Sequence, residues 1–135
     1  MDIKNFFHKI LSTNKGPTIP ELVKESFFKQ FQQPLNIEWQ VSADQFEAVF
    51  YKNEMEHIAR FNREGQITCL KTNISLEKLP EAINETAQKH GELMNAISIA
   101  CDESLKYELI VRDSELTRYF LLLSKTGEVL DKEKL

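Results

Sequence analysis

Residues Pro20-Glu21-Leu22-Val23-Lys24-Glu25-Ser26 recur as Pro80-Glu81-Ala82-Ile83-Asn84-Glu85-Thr86, an offset of 60. Two further landmarks follow in the same order. Phe46-Glu47-Ala48-Val49-Phe50 returns as Tyr107-Glu108-Leu109-Ile110-Val111, and Glu64-Gly65-Gln66-Ile67 as Thr126-Gly127-Glu128-Val129, at offsets of 61 and 62. The drift amounts to two one-residue insertions in expected loops or turns. A fixed period of this length marks a tandem repeat of one supersecondary unit.

Each copy begins with a helix. Proline lacks an N–H that has no partner at a helix start, and the adjacent glutamate complements the positive helix end. Thr18 and Glu21 have capping-box spacing. Leu22, Val23, Phe27 and Phe31 fall on one face, with Phe28 about 100° round from Phe27. The rest of each copy alternates with period two and is rich in β-branched and aromatic residues. Strands are expected over 36–41, 46–52, 55–62 and 66–71, and again over 96–101, 107–112, 116–123 and 128–131. Turns at Lys52-Asn53-Glu54 and Asp113-Ser114-Glu115 make hairpins of the central strands, and Gly65 and Gly127 supply positive φ for the next turns.

The expected fold is therefore α+β: two α-β-β-β-β units forming an antiparallel sheet of up to eight strands with helices on one face. The units span 17–74 and 75–135 within one compact domain. Ahead of them, residues 1–16 read as a separate helix in which Ile3, Phe6, Phe7, Ile10 and Leu11 form an apolar stripe. Docking of that helix over Phe28 is expected.

At these residues the chain resembles the PepSY-like family of small bacterial proteins with a β-lactamase-inhibitor-protein-like fold. The likeness is carried by Pro-Glu-Leu/Ala-Val/Ile at the helix start, Asn36-Ile37-Glu38-Trp39, the aromatic-Glu-apolar strand 46–50, and the strand ending in a Gly turn at 61–65. The second copy has Ala96-Ile97-Ser98-Ile99 where the first has its tryptophan. The resemblance implies helices on one face of the sheet and a free opposite face, which the inhibitor relative uses to grip a protein.

A formal charge of −4 and no basic cluster argue against nucleic acid or an anionic membrane as partner. No apolar run approaches a membrane span, and the first residues do not read as a secretory signal, so a cytoplasmic location is expected. Cys69 and Cys101 lack metal or redox spacing. Free thiols are expected, with a Cys69–Cys101 disulfide as the alternative. Nothing implies a cofactor.

By strand alternation, Phe46, Ala48, Phe50, Tyr107, Leu109 and Val111 face the helices, as does Trp39 with Ile37 and Val41. The opposite parity carries Glu47, Val49, Tyr51, Ile58 and Arg60, then Glu108, Ile110, Arg112, Tyr119 and Leu121. Glu47 and Glu108 read as solvent-facing rather than as an acid/base pair. Mixed aromatic, aliphatic and Arg side chains suit protein contact, and an ordinary solvated sheet face is the plain alternative. The candidate binding residues are Tyr51, Ile58, Arg60, Arg112, Tyr119 and Leu121. The chain reads as a non-enzymatic module binding a protein or peptide through this face. A small-molecule or lipid cleft between helices and sheet, or a structural homodimer, are the alternatives.

Overall fold

The computed structural model describes residues 18–135. The helix expected over 1–16 and its docking on Phe28 lie outside the described residues. The chain divides into two compact units between Thr72 and Asn73.

In the first unit, α1 (Glu21–Gln30) is followed by β1 (Leu35–Ser42), β2 (Gln45–Lys52), β3 (Met55–Phe61) and β4 (Ile67–Asn73). The second unit opens on a short 3-10 turn, Leu76–Lys78, and continues through α2 (Glu81–His90), β5 (Glu92–Cys101), β6 (Ser104–Arg112), β7 (Arg118–Ser124) and β8 (Val129–Lys134). Within each unit every strand pairs antiparallel with the next.

Pro20 and Pro80 stand at the N-cap of their helices rather than inside the first turn. The Pro20 carbonyl accepts from the amides of Val23 and Lys24 at 3.0 and 3.2 Å, and the Pro80 carbonyl from Ile83 and Asn84 at 3.1 and 3.0 Å. The capping box expected at Thr18 and Glu21 is absent because the helix starts at Glu21, leaving Thr18 ahead of the N-cap position. Ile19 and Leu79, just before the prolines, are buried instead.

Each helix packs on the strands of its own unit through an apolar core. In the first unit, Ile19, Val23 and Phe27 pack on Phe46, Ala48, Phe50, Ala59 and Phe61, with Phe31, Ile37, Trp39 and Leu70 at the margin. Phe27 is the centre: its ring meets Trp39 edge-on at 5.2 Å and Phe50 at 5.0 Å. Leu22, expected on this stripe, is about half exposed. In the second unit Ile83 and Ala87 pack on Ala96, Tyr107, Leu109, Val111, Leu121 and Leu123.

The turn after the third strand closes each unit against its helix. A Cβ on Gly65 would stand 2.9 Å from the Leu22 carbonyl oxygen, and one on Gly127 would stand 2.9 Å from that of Ala82. Both glycines have positive φ, 80° and 94°. Thr86 Oγ1 also donates to the Gly127 carbonyl at 2.8 Å.

The two central hairpins differ in length, and this corrects the expected faces. Lys52 pairs with Met55 around Asn53-Glu54, both at positive φ as a type I′ turn requires. Arg112 pairs with Arg118, so residues 113–117 form a longer loop. Asp113 Oδ1 holds that loop by accepting from the amides of Glu115 and Thr117 at 2.9 and 3.0 Å. Tyr51 pairs with Glu56 across four intervening residues, whereas Arg112, the counterpart of Tyr51, faces Arg118 across five. One added residue reverses the parity of the whole strand that follows. Tyr119 and Leu121 therefore lie opposite Val111 and Leu109, on the helix side, and Leu121 is fully buried. Phe120 and Leu122 take the other face.

Leu121→Ala is expected to cost about 2–5 kcal/mol in chemical denaturation, as for other fully buried leucines. Leu122→Ala, on the opposite face and half buried, should cost less than half as much; equal losses would contradict the register.

Candidate binding surface on the helix-free face

Strand pairing sets three rows across the first unit on the face away from α1. Gln40, Glu47, Arg60 and Cys69 make one row; Glu38, Val49, Ile58 and Lys71 the next; Leu35, Tyr51 and Glu56 the third. In the second unit the rows are Ile97, Glu108, Leu122 and Asp131; Asn95, Ile110, Phe120 and Glu133; and Glu92, Arg112 and Arg118.

The structure thus brings Tyr51, Ile58 and Arg60 to one face of the first unit and leaves Arg112 on the corresponding face of the second. It removes Tyr119 and Leu121 from that face. Tyr119 packs beside the core, with the Lys132 ammonium 4.5 Å from its ring centre. Ile58 has the expected parity but is only 2% exposed. Tyr51, Arg60 and Arg112 are half buried.

Glu47 and Glu108 are corrected as well: they are 1% and 3% exposed, not solvent-facing. Arg60 sits directly opposite Glu47, and its Nε and Nη2 donate to Glu47 Oε2 at 3.0 and 2.8 Å. A buried carboxylate needs such charge-assisted donors. Arg112 makes the analogous cross-strand contact with Glu92 at 2.8 Å, in a more exposed setting. Cys69 and Cys101 are not free thiols; both are disulfide-bonded.

Beside the pairs lies a pocket that alternation did not reveal. Asn36, Glu38, Val49, Phe50, Tyr51 and Glu56 line a cavity of about 180 Å³. Glu38 Oε2 and Glu56 Oε2 are both shielded from solvent and lack a hydrogen-bond partner. A bulge brings Glu38 here: β1 takes three steps from Leu35 to Glu38 while β2 takes two from Tyr51 to Val49, and Asn36 adopts φ 52°. Bulges of this kind re-aim side chains. A second, shallower pocket of about 330 Å³ lies by Gly91, Arg112 and the exposed Leu116. Among the described residues, no group of three or more His, Cys, Asp or Glu is placed to hold a metal ion.

His57, on the helix side opposite Phe50, stacks on that ring at 5.0 Å. Its Nε2–H donates to the Lys52 carbonyl at 3.3 Å and its Nδ1 accepts from Thr72 Oγ1 at 3.1 Å, the tautomer that satisfies both neighbours. Burial holds its pKa below the ordinary value near 6.5, opposed by the bond to the Lys52 carbonyl.

No protein-family model matches the chain, and no curated protein matches it. Solved structures do. A Bacteroides eggerthii protein, provisionally described as periplasmic, shares 18% identity over 87% of this chain and 90% of its own, with a TM-score of 0.74. A DUF2874 family protein from Bacteroides ovatus shares 19% over 88% and 89%, at a TM-score of 0.73. A BLIP-like protein from Bacteroides fragilis shares 13% over 89% of each chain, at a TM-score of 0.72. The fold is BLIP-like. That BLIP-like α+β fold comes with a correction to the expected cytoplasmic location. The description of the eggerthii protein points away from the cytoplasm, and disulfide-bonded cysteines fit an oxidising compartment.

Two outcomes follow from the geometry. Arg60→Met leaves the buried Glu47 carboxylate short of donors and should lower stability by about 1–3 kcal/mol in urea titrations. His57 binds a proton less readily folded than unfolded, so its contribution is full above pH 6.5 and is lost as pH falls below that value. Thermal melts from pH 7.5 to 5 should show a smaller decline for His57→Gln than for the parent; parallel declines would contradict the assignment.

Proposed function

We propose that the chain is a non-enzymatic interaction module, a PepSY-like tandem repeat that binds a protein or peptide outside the cytoplasm. The contact surface is the margin of the first unit's helix-free face, centred on Tyr51. The observation that carries this reading is the grouping there of a half-buried tyrosine and a concave pocket lined by Glu38 and Glu56, each with one shielded oxygen that lacks a hydrogen-bond partner. Buried acceptors without donors cost stability, and a partner that supplies donors would offset that cost. The likeness to a protein named BLIP-like supports protein rather than small-molecule binding.

The reading is narrower than a wholly free sheet face. Val49 and Ile58 in the first unit, and Ile97 and Phe120 in the second, are buried on that side. A lipid or small-molecule cleft between helix and sheet is disfavoured, because Val23, Phe27, Ile83 and Ala87 have no exposure and fill that interface.

A photo-crosslinking residue replacing Tyr51 in the full chain, expressed in its native cells, tests the proposal. One recurrent heterologous adduct is expected from position 51 and none from Lys24 on α1, and the purified adduct partner should bind the unmodified chain. Adducts only between copies of this chain, or only from position 24, would overturn it.

A further inference from the structure

We propose that the pocket between Glu38 and Glu56 receives an arginine side chain of the protein partner, an inference that rests on the interaction reading above. The two glutamates belong to β1 and β3, on either side of β2, and reach over the same face. Alternate strands run about 10 Å apart, which leaves room between the two carboxylates. Each has one oxygen, Oε2, with no hydrogen-bond partner and no solvent contact. The terminal torsion of glutamate is soft, so a small rotation turns either oxygen toward the cavity.

The lining carries two carboxylates and no cation, and its side-chain donors are the Asn36 amide and the Tyr51 hydroxyl. A guanidinium supplies several N–H groups in a plane, enough for a carboxylate on each side, and it stacks on an aromatic wall such as Tyr51. The ammonium of lysine brings charge without that planar match. A cavity of about 180 Å³ is small beside typical small-molecule pockets and suits a single side chain. Two carboxylates also fall short of the oxygen-rich shell that calcium takes, and among the described residues no third acidic, His or Cys ligand joins them.

The second unit provides an internal comparison. The residues facing Ile110 and Arg112 there are Asn95, Phe120, Glu92 and Arg118, so the first unit's two carboxylates beside Val49 and Tyr51 have no equivalent pair. Arg112 already occupies Glu92. The acidic pair is therefore a property of the first unit and not of the strand pattern.

The test titrates the full chain with capped arginine (acetyl-arginine methylamide), following the Glu38 and Glu56 carboxyl carbons and Tyr51 by NMR. Capped citrulline serves as the neutral isostere, and calcium chloride is titrated separately. Saturable shifts with arginine are expected, at least tenfold weaker with citrulline and lost in the Glu38→Gln/Glu56→Gln variant. That variant should melt no lower than the parent, since it removes unpartnered charge. Absence of saturable shifts, their persistence in the variant, a lower melting point, or displacement of arginine by micromolar calcium would each overturn the arginine seat. Crosslinking from position 51 with no arginine binding would sink this inference alone; arginine binding with no heterologous crosslink would sink the interaction reading.

Discussion

Turn length governs this protein, because it decides which side of every strand meets the helix. In a strand, neighbouring side chains point oppositely, so a hairpin loop longer by one residue exchanges core and surface for the whole strand that follows. The first unit uses two residues for its central turn, Asn53-Glu54, and thereby sets Ala59 and Phe61 under α1. The second has a longer loop pinned by Asp113, and sets Leu121 and Leu123 under α2. Both arrive at a filled core by different local routes.

The helices are matched by volume to the strands beneath them. Phe27 fills the first core from the helix side with a cage of rings, and Ala87 occupies the comparable place on α2. The strands of the second unit compensate with Tyr107, Leu109, Leu121 and Leu123. Interiors pack at near-crystalline density, so the small helix residue and the larger strand residues belong together. Gly65 and Gly127 then let a turn approach the helix carbonyls more closely than any side chain permits.

Much of this architecture is legible in the amino-acid sequence. The Pro-Glu helix starts, the alternating strands and the two glycine turns locate nearly every element to within a few residues. Faces are legible wherever an apolar run alternates cleanly, as in 46–50 and 107–111. They are not legible past the β6–β7 loop, because Tyr119, Phe120, Leu121, Leu122 and Leu123 are all apolar and carry no period to reveal the flip. Burial of Glu47 is hidden for a different reason: its partner Arg60 is thirteen residues away, and only strand register sets them opposite. The pocket is hidden by the bulge at Asn36, which changes the parity of Glu38 relative to Leu35. Cys69 and Cys101 are far apart in the chain and in separate strands, so their oxidised state has no local signature.

The first unit's helix-free margin is the surface proposed to meet a partner. Amide hydrogen exchange of the full chain, alone and saturated with that partner, addresses it most directly. Protection is predicted in β1 and the β2–β3 hairpin, over residues 36–56, with α1 and α2 unchanged. Protection centred on either helix, with 36–56 exchanging as in the free protein, would contradict it.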